Sequence, residues 1–118
     1  LVKDIRIPLI NYRIPFLYLK YRPQGQRFKN TNSHAELLHD PLEVLTAKEL
    51  ELIIDFAKAI HLDFGEADVL RDKQDGKIYI VDINNTPYGP PNHLPKKDKK
   101  LALKLLARTF SKEFLLLK

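Results

Sequence analysis

The strongest constraint on the fold of this chain is a proline-rich segment at residues 84–95. It contains Pro87, Pro90, Pro91 and Pro95. Proline has no amide hydrogen to donate, so it is excluded from helix interiors and from the inner strands of a sheet. The segment therefore predicts an irregular connection between the strand-rich sequence before it and the helical pattern that follows.

Four segments before this connection have the composition of β-strands. Residues 2–10 are β-branched and apolar, and aromatic and aliphatic residues alternate over 14–21. The three residues between these segments predict a hairpin connection. Residues 66–71 and 77–83 form a second pair, and the polar, glycine-containing stretch 72–76 between them also predicts a hairpin loop.

Two segments show helical spacing of apolar residues. Thr46 and Glu49 have the spacing of a capping box, and the apolar pattern that follows predicts a helix ending near His61. A second pattern predicts a helix over residues 97–117, whereas the polar residues 22–33 predict a surface loop. The predicted order is ββαββα, an α+β fold with an antiparallel sheet and the helices packed on one face.

Composition limits the class of protein. The 118 residues suit one small domain, with 44% hydrophobic and 30% charged residues. No stretch approaches the ~20 apolar residues that span a bilayer, so no membrane association is expected. The absence of cysteine excludes disulfides and thiolate metal sites, and a cytoplasmic location is the default expectation. Because the chain begins at Leu1, we expect a fragment or a processed product.

The net charge of +5 raises the question of nucleic-acid binding. Much of the excess comes from a local run at the start of the last predicted helix: Lys96, Lys97, Lys99 and Lys100. No aromatic stacking platform or groove-reading helix accompanies this run. We therefore expect a solvated helix start rather than a nucleic-acid interface. A basic domain also suits an anionic ligand.

Three oxygen-bearing side chains in the second hairpin form a candidate metal site. Strand alternation places Asp82 and Asn84 on one face, and pairing of Leu70 with Ile80 would place Asp68 directly opposite Asp82. Such neighbours lie about 5 Å apart at Cβ and repel each other unless a cation lies between them. Mg²⁺ accepts carboxylate and amide oxygens. The same spacing also fits two solvated acids at a hairpin end.

The sequence DINNTPYG at 82–89 resembles the ATP-grasp signature, which has an acid, any residue, Asn, two residues, Pro and then Gly. That family has a second metal-binding acid one hairpin earlier, where this chain has Asp68. The resemblance implies that Asp68, Asp82 and Asn84 are Mg²⁺ ligands. Two departures are that Asp82 replaces the usual Glu and that Tyr88 precedes the glycine.

The first third of the chain resembles the ribosomal-protein glutamate ligase branch of the family. Asp-Ile-Arg at 4–6 and Phe-Lys-Asn-Thr-Asn at 28–32 occur in the order found there. The resemblance implies that Asp4 accepts hydrogen bonds from ribose, and that Lys29 and Asn32 bind the nucleotide phosphates. Three implied catalytic charge partners of a phosphate or acyl-phosphate are Arg6, Arg22 and Arg27. Each arginine also fits an ordinary surface charge.

Taken together, these resemblances imply that residues 1–118 are the C-terminal, metal-binding lobe of a ligase. Such an enzyme uses ATP and Mg²⁺ to activate a carboxylate as an acyl-phosphate, which an amine then attacks. The family's adenine-binding hinge, phosphate lysine and glycine-rich loop belong to a preceding lobe and are not in this sequence. We therefore expect that lobe to be supplied in cis, and this fragment to be inactive alone.

Other functions remain open at the level of sequence. Glu66 stands where D-alanine ligases have an arginine, which argues against a close relationship to that branch. The sequence does not distinguish a ligase from a kinase. The main alternative is a non-catalytic binding or interaction module with the same sheet, and a less favoured one is a basic nucleic-acid-binding domain.

Overall fold

The computed structural model describes residues 2–22, 34–86 and 89–115, which adopt an α+β fold. The main elements are, in chain order, β1 (Val2–Ile10), β2 (Leu17–Arg22), β3 (His34–Leu38), α1 (Ala47–Ala59), β4 (Phe64–Arg71), β5 (Ile78–Asn84) and α2 (Lys96–Phe110). A short 3-10 turn (Pro41–Glu43) precedes α1, and a π-helical turn (Ser111–Leu115) follows α2. Among the described residues, no helix has the length and apolar character needed to cross a membrane.

The described strands form one antiparallel sheet in the order β3-β2-β1-β4-β5. The predicted α+β class is confirmed, but β3 is a strand that the predicted order ββαββα lacks. Ala35 of β3 lies opposite Lys20 of β2. Polar and apolar residues alternate in β3 only over its first four residues, and Leu38 breaks the pattern. Strand β3 pairs with β2 and supplies partners for the backbone groups along that edge.

One face of the sheet is apolar and packs against α1. Ile5, Ile7 and Leu9 of β1 point to this face and form the first core with Ile53 and Ala57 of α1. All five side chains are essentially inaccessible to solvent. Each large aliphatic side chain buried in this way contributes roughly 1.5–3 kcal/mol. This core therefore fixes the position of α1 on the sheet.

The second core lies on the opposite face of the sheet. Its buried members are Phe16, Tyr18, Ala35, Leu94 and Ala102. Ala102 belongs to α2, and Tyr18 lies opposite Arg6, on the face away from Ile5 and Ile7. The two helices therefore cover opposite faces, and the prediction that both pack on one face is wrong. Helical periodicity defines the apolar side of a helix but not the sheet face that it covers.

Both ends of α1 have the predicted signals. The Thr46 hydroxyl oxygen accepts a hydrogen bond from the amide of Glu49 at 3.1 Å, and the Glu49 carboxylate accepts one from the amide of Thr46 at 3.0 Å. At the other end His61 has φ 57°, and the amide of Leu62 donates to the carbonyl of Ala57 at 2.8 Å. These contacts form a capping box and a Schellman-type end, so the predicted bounds of this helix are confirmed.

Arg71 of β4 attaches the first turn of α1 to the sheet. Its guanidinium donates to both carboxylate oxygens of Glu49 at 2.8 and 3.0 Å, and to the carbonyl of Val44 at 2.9 Å. The hydrogen bond from Arg71 is the main cause of the lowered pKa of Glu49. A planar guanidinium that contacts both oxygens of a carboxylate has a defined orientation. This contact therefore sets the direction in which α1 leaves the loop.

The first hairpin turns through Asn11 and Tyr12, which have φ values of 51° and 61°. Positive φ at both central residues is the geometry of a two-residue turn that matches the twist of the flanking strands. Ile10 and Arg13 exchange two backbone hydrogen bonds of 3.0 Å across the turn. The predicted hairpin connection is confirmed, although β2 begins at Leu17 and not at residue 14.

The pairing of β4 with β5 contains a β-bulge. Asp68 lies opposite Asp82, but the next residue of β4, Val69, lies opposite Ile80. Val81 is therefore the extra residue of β5, and its side chain is 61% exposed. The predicted pairing of Leu70 with Ile80 is wrong, because beyond the bulge each residue of β4 meets a partner one place earlier in β5.

The bulge resolves a conflict in the apolar pattern of β5. Ile78, Ile80 and Ile83 all pack against the first core. Residues three apart in a regular strand point to opposite faces, so Ile80 and Ile83 can share a face only if one residue is extra. The bulge at Val81 supplies that residue and keeps Asp82 on the face opposite the first core.

Two identical substitutions on either side of the bulge test this register. Val69→Ala removes a fully buried side chain and should lower the free energy of unfolding by about 2 kcal/mol, whereas Val81→Ala should change it by less than about 0.5 kcal/mol. Without the bulge, Val69 and Val81 would lie directly opposite each other on the face that packs against α1. Equal losses in urea unfolding would therefore contradict the bulge.

Candidate functional site

The face of the sheet opposite α1 carries a row of polar side chains across four strands. Tyr18 of β2 lies opposite Arg6 of β1, Arg6 lies opposite Asp68 of β4, and Asp68 lies opposite Asp82 of β5. We call these four residues the central row. Directly opposed residues lie on the same face and within reach of each other. The sheet therefore brings together residues that are up to 76 positions apart in the sequence, as Arg6 and Asp82 are (82 − 6).

Further polar residues lie on either side of the central row and on the same face. Asp4 and Lys20 are opposite each other, two residues from Arg6 and Tyr18 respectively. On the other side Glu66 lies opposite Asn84. The central row and these four residues together are the site face. The predicted arrangement of Asp68, Asp82 and Asn84 on one face is confirmed by the register, whereas their role as ligands stays a prediction.

Asp68 contacts two cations on the site face. The Nε of Arg6 lies 3.5 Å from Oδ1 of Asp68, and the Nζ of Lys20 lies 3.7 Å from the same oxygen. The side chains of Arg6 and Lys20 are only 15% and 8% exposed, so water screens these charges weakly. Positive charge thus compensates Asp68 in a location where an isolated carboxylate would be costly.

The chain lies against the site face again at Gly89, beyond β5. The carbonyl of Gly89 accepts a hydrogen bond from Nη1 of Arg6 at 2.9 Å, and the amide of Gly89 donates to Oε2 of Glu66 at 2.9 Å. Gly89 has φ 81°, a conformation that glycine adopts without strain. Glu66, which is nearly fully buried, and Arg6 thus hold both backbone groups of one glycine above the sheet.

The remaining two candidate ligands lie at the more exposed end of β5. The Asp82 carboxylate is exposed, and its Oδ1 accepts a hydrogen bond from the amide of Ile83 at 3.0 Å. The Oδ1 of Asn84 accepts hydrogen bonds from both the amide and the hydroxyl of Thr86, each at 2.9 Å. Thr86 therefore orients the amide of Asn84, a role that the sequence spacing did not indicate.

The chemistry of these side chains fits Mg²⁺. The ion commonly takes one or two carboxylates and completes its shell with water and phosphate oxygens. Asp68 and Asp82 are opposed carboxylates, and Asn84 adds an amide oxygen on the same face. Within the described residues no group of three or more His, Cys, Asp and Glu side chains is placed to hold a metal. The candidate donors are thus two carboxylates and one amide, and their role as ligands stays a prediction.

Three buried polar atoms in the central row lack hydrogen-bond partners. They are Nε of Arg6, Oδ1 of Asp68 and the hydroxyl of Tyr18. Burial is the main cause of the raised pKa of Tyr18, and the nearby charge of Glu66 adds to it. An unsatisfied buried polar group costs about 1–3 kcal/mol, so its retention calls for an explanation. Two of these atoms, Nε of Arg6 and Oδ1 of Asp68, lie 3.5 Å apart as an ion pair without hydrogen-bond geometry, and Tyr18 lies opposite Arg6.

The other residues implied by the resemblance are distributed unevenly. Asp4 lies on the site face, and Arg22 is the last residue of β2, opposite Val2. Arg27, Lys29 and Asn32 lie outside the described residues. Their proposed contacts with nucleotide phosphates therefore remain predictions from the sequence.

Three residues of the site face, Tyr18, Lys20 and Glu66, were not recognised from the sequence as site residues. Lys20 alternates with aliphatic and aromatic residues in β2, which places it on the same face as Tyr18. Glu66 is followed by Asp68 at the spacing that puts two acids on one face of a strand. Alternation alone thus contained a signal for Lys20 and Glu66, but the identity of their partners required the order of the strands.

Solved structures provide the only matches among three comparisons with known proteins. The ATP-grasp ligase PsnB, complexed with a phosphomimetic variant of a minimal precursor, Mg and ADP, matches with a TM-score of 0.58 and 14% identity, over 92% of this chain and 34% of that one. The macrocyclase MdnC, bound with the precursor peptide MdnA from Microcystis aeruginosa MRC, matches at 0.52 and 16% identity, over 89% and 33%. Neither protein-family models nor curated proteins give a match.

These matches establish an ATP-grasp-like fold and confirm the fold that the sequence resemblance implied. The identities are low, so the likeness concerns the fold and not the activity. This chain spans about a third of the length of the structures it matches. The branch of the family, the activation of a carboxylate and its attack by an amine stay predictions.

The unsatisfied hydroxyl of Tyr18 generates a prediction about stability. Tyr18→Phe removes a buried group without a hydrogen bond, so the free energy of unfolding should stay the same or rise by up to about 1 kcal/mol. Tyr79→Phe is the matched control, because the Tyr79 hydroxyl donates to Asp75 at 2.6 Å and its loss should be neutral or slightly destabilising. A loss above 1 kcal/mol for Tyr18→Phe in urea unfolding would show that its hydroxyl is satisfied.

Proposed function

We propose that this chain is the metal-binding, C-terminal lobe of an ATP-dependent ligase. Such an enzyme activates a carboxylate as an acyl-phosphate that an amine then attacks. The observation that carries the proposal is the opposition of Asp68 and Asp82, with Asn84 beside them, on the sheet of an ATP-grasp-like fold. Two structures of PsnB, which has the same fold, contain Mg and ADP.

The proposed lobe would not act alone. The chain covers about a third of PsnB, and its described residues present the site face on a single sheet. We propose that a second lobe, supplied in cis by a longer protein, provides the adenine pocket and the remaining phosphate contacts. The site face would then form one side of a cleft that binds ATP and the carboxylate.

Each polar side chain of the site face has a role in this proposal. Asp68, Asp82 and the amide oxygen of Asn84 would hold Mg²⁺, which neutralises the developing charge on phosphoryl oxygens. Arg6 would present a fixed positive charge to an anionic group, because the carbonyl of Gly89 holds its guanidinium. Glu66 would fix the segment that covers the site through the amide of Gly89.

Substitution of Asp82 in the full-length protein tests the metal site. Asp82→Asn keeps the shape of the side chain and removes one negative charge, so ATP turnover should fall at least ~10²-fold. Val81→Ala is the matched control, because it changes the neighbouring exposed side chain of the same strand. The measurement is ADP release over a titration of Mg²⁺.

An unchanged rate with unchanged Mg²⁺ dependence in Asp82→Asn would show that this face does not hold the catalytic metal. The alternative function, a non-catalytic interaction module with the same sheet, would then be favoured. Thr86→Ala is unsuitable as a control, because Thr86 donates two hydrogen bonds to Asn84. We expect an intermediate loss of rate in that variant.

Titration of the 118-residue chain with Mg-ATP tests the need for a second lobe. With only one side of the cleft present, the dissociation constant should be no tighter than about 1 mM, or roughly −4 kcal/mol. Calorimetry at physiological salt provides the measurement. Micromolar affinity would mean that the chain contains a complete nucleotide site and would contradict the two-lobe proposal.

A further inference from the structure

Lys20 is an unusual residue on the site face. Its side chain is only 8% exposed, and its ammonium group lies 3.7 Å from Oδ1 of Asp68. Lysine is rarely buried to this extent without a counter-charge, because the desolvation of an ammonium group is costly. The strand β2 therefore carries a buried charged side chain that contacts the same carboxylate that is the proposed metal ligand.

Among the described residues, Asp68 has two long ion-pair contacts and no short one on the site face. Arg6 and Lys20 approach the same oxygen at 3.5 and 3.7 Å, and neither contact is a hydrogen bond. Charged hydrogen bonds are normally 2.7–2.9 Å long. The carboxylate thus gains electrostatic compensation from two cations without the short contacts that would fix it. A small cation could approach this oxygen more closely than either side chain does.

We propose that Lys20 is a positioning residue that competes with a divalent cation for Asp68. The inference rests on the proposed metal site, because it assigns Asp68 to that cation. Lys20 compensates the charge of the carboxylate on the site face and lowers the affinity for the cation through repulsion between like charges. Binding of the cation weakens the contact between Lys20 and Asp68 and makes the ammonium group available to an anionic ligand.

The charges around Asp68 favour this role over a purely structural one. Arg6 is held on its other side by the carbonyl of Gly89, so its guanidinium has a fixed position. Lys20 has a flexible four-carbon stem and a compact charge, so its ammonium group can shift while the backbone of β2 stays paired. If Lys20 had only a structural role, removal of its charge would lower the free energy of unfolding and leave the metal affinity unchanged. If Lys20 competes with the metal ion, removal of its charge would lower the free energy of unfolding but raise the metal affinity.

The test uses the 118-residue chain and Mn²⁺ alone as the probe. Mn²⁺ resembles Mg²⁺ in its preference for oxygen ligands and broadens the NMR signals of nearby amides. Lys20→Met removes the charge and keeps a long side chain. The Mn²⁺ concentration that half-broadens the amides at 66–70 and 82–84 should fall about tenfold, the lower end of the effect of a unit charge within about 4–6 Å.

Three further variants make the result specific. Lys20→Arg retains the charge and should require the same Mn²⁺ concentration as the unmodified chain. Lys58→Met removes one charge from exposed α1, on the other face of the sheet, and should also cause no change. Lys20→Gln is a second neutral variant, and should reproduce the tighter binding even if Lys20→Met fails to fold.

The outcomes separate this inference from the metal site itself. Equal Mn²⁺ concentrations for the unmodified chain and both neutral variants would overturn the role of Lys20 and leave the metal site intact. Absence of broadening on the site face in every variant would overturn both. Loss of the folded state in both neutral variants would show that Lys20 is required for folding, and would also overturn the competing role.

Discussion

The structure depends on the central strand β1, which has to satisfy two different environments at once. Its odd-numbered residues Ile5, Ile7 and Leu9 lie in the first core, and its even-numbered residues Asp4 and Arg6 lie on the site face. A slip of one residue against either neighbour would exchange the two sets and bury the charges against α1. The apolar contacts of β1 thus fix the register on which the charged site depends.

The charged face is stable because its burial is compensated locally. Arg6 lies against Asp68, and Glu66 accepts a hydrogen bond from the amide of Gly89. The chain continues from Gly89 into α2, whose residue Ala102 packs with Tyr18 in the second core. The apolar contacts of α2 in the second core thus help to keep Gly89 against Arg6 and Glu66 on the site face. Three buried polar atoms without hydrogen bonds remain in its centre.

The likeness to ATP-grasp structures and the residues of the site face support each other. A fold match at 14% identity says nothing about individual side chains, and a motif of a few residues says little about a fold. The motif around Asp82 is a pattern of residue types, and the pairing of β4 with β5 places Asp68 opposite Asp82, as that motif implied. The two observations are independent, because the first depends on residue types and the second on the pairing of strands.

The sequence by itself determined most of the local elements of this protein. The capping box at Thr46, the helix end at His61 and the first hairpin follow from residues close together in the chain, so their signals are local. The alternation of residues also placed Asp82 and Asn84 on one face. Tertiary structure alone decided that β3 joins the sheet, that the helices cover opposite faces and that Lys20 meets Asp68. It also decided the bulge in β5, because only contact with the first core requires Ile80 and Ile83 to point the same way. These features depend on partners distant in sequence, which no local pattern specifies.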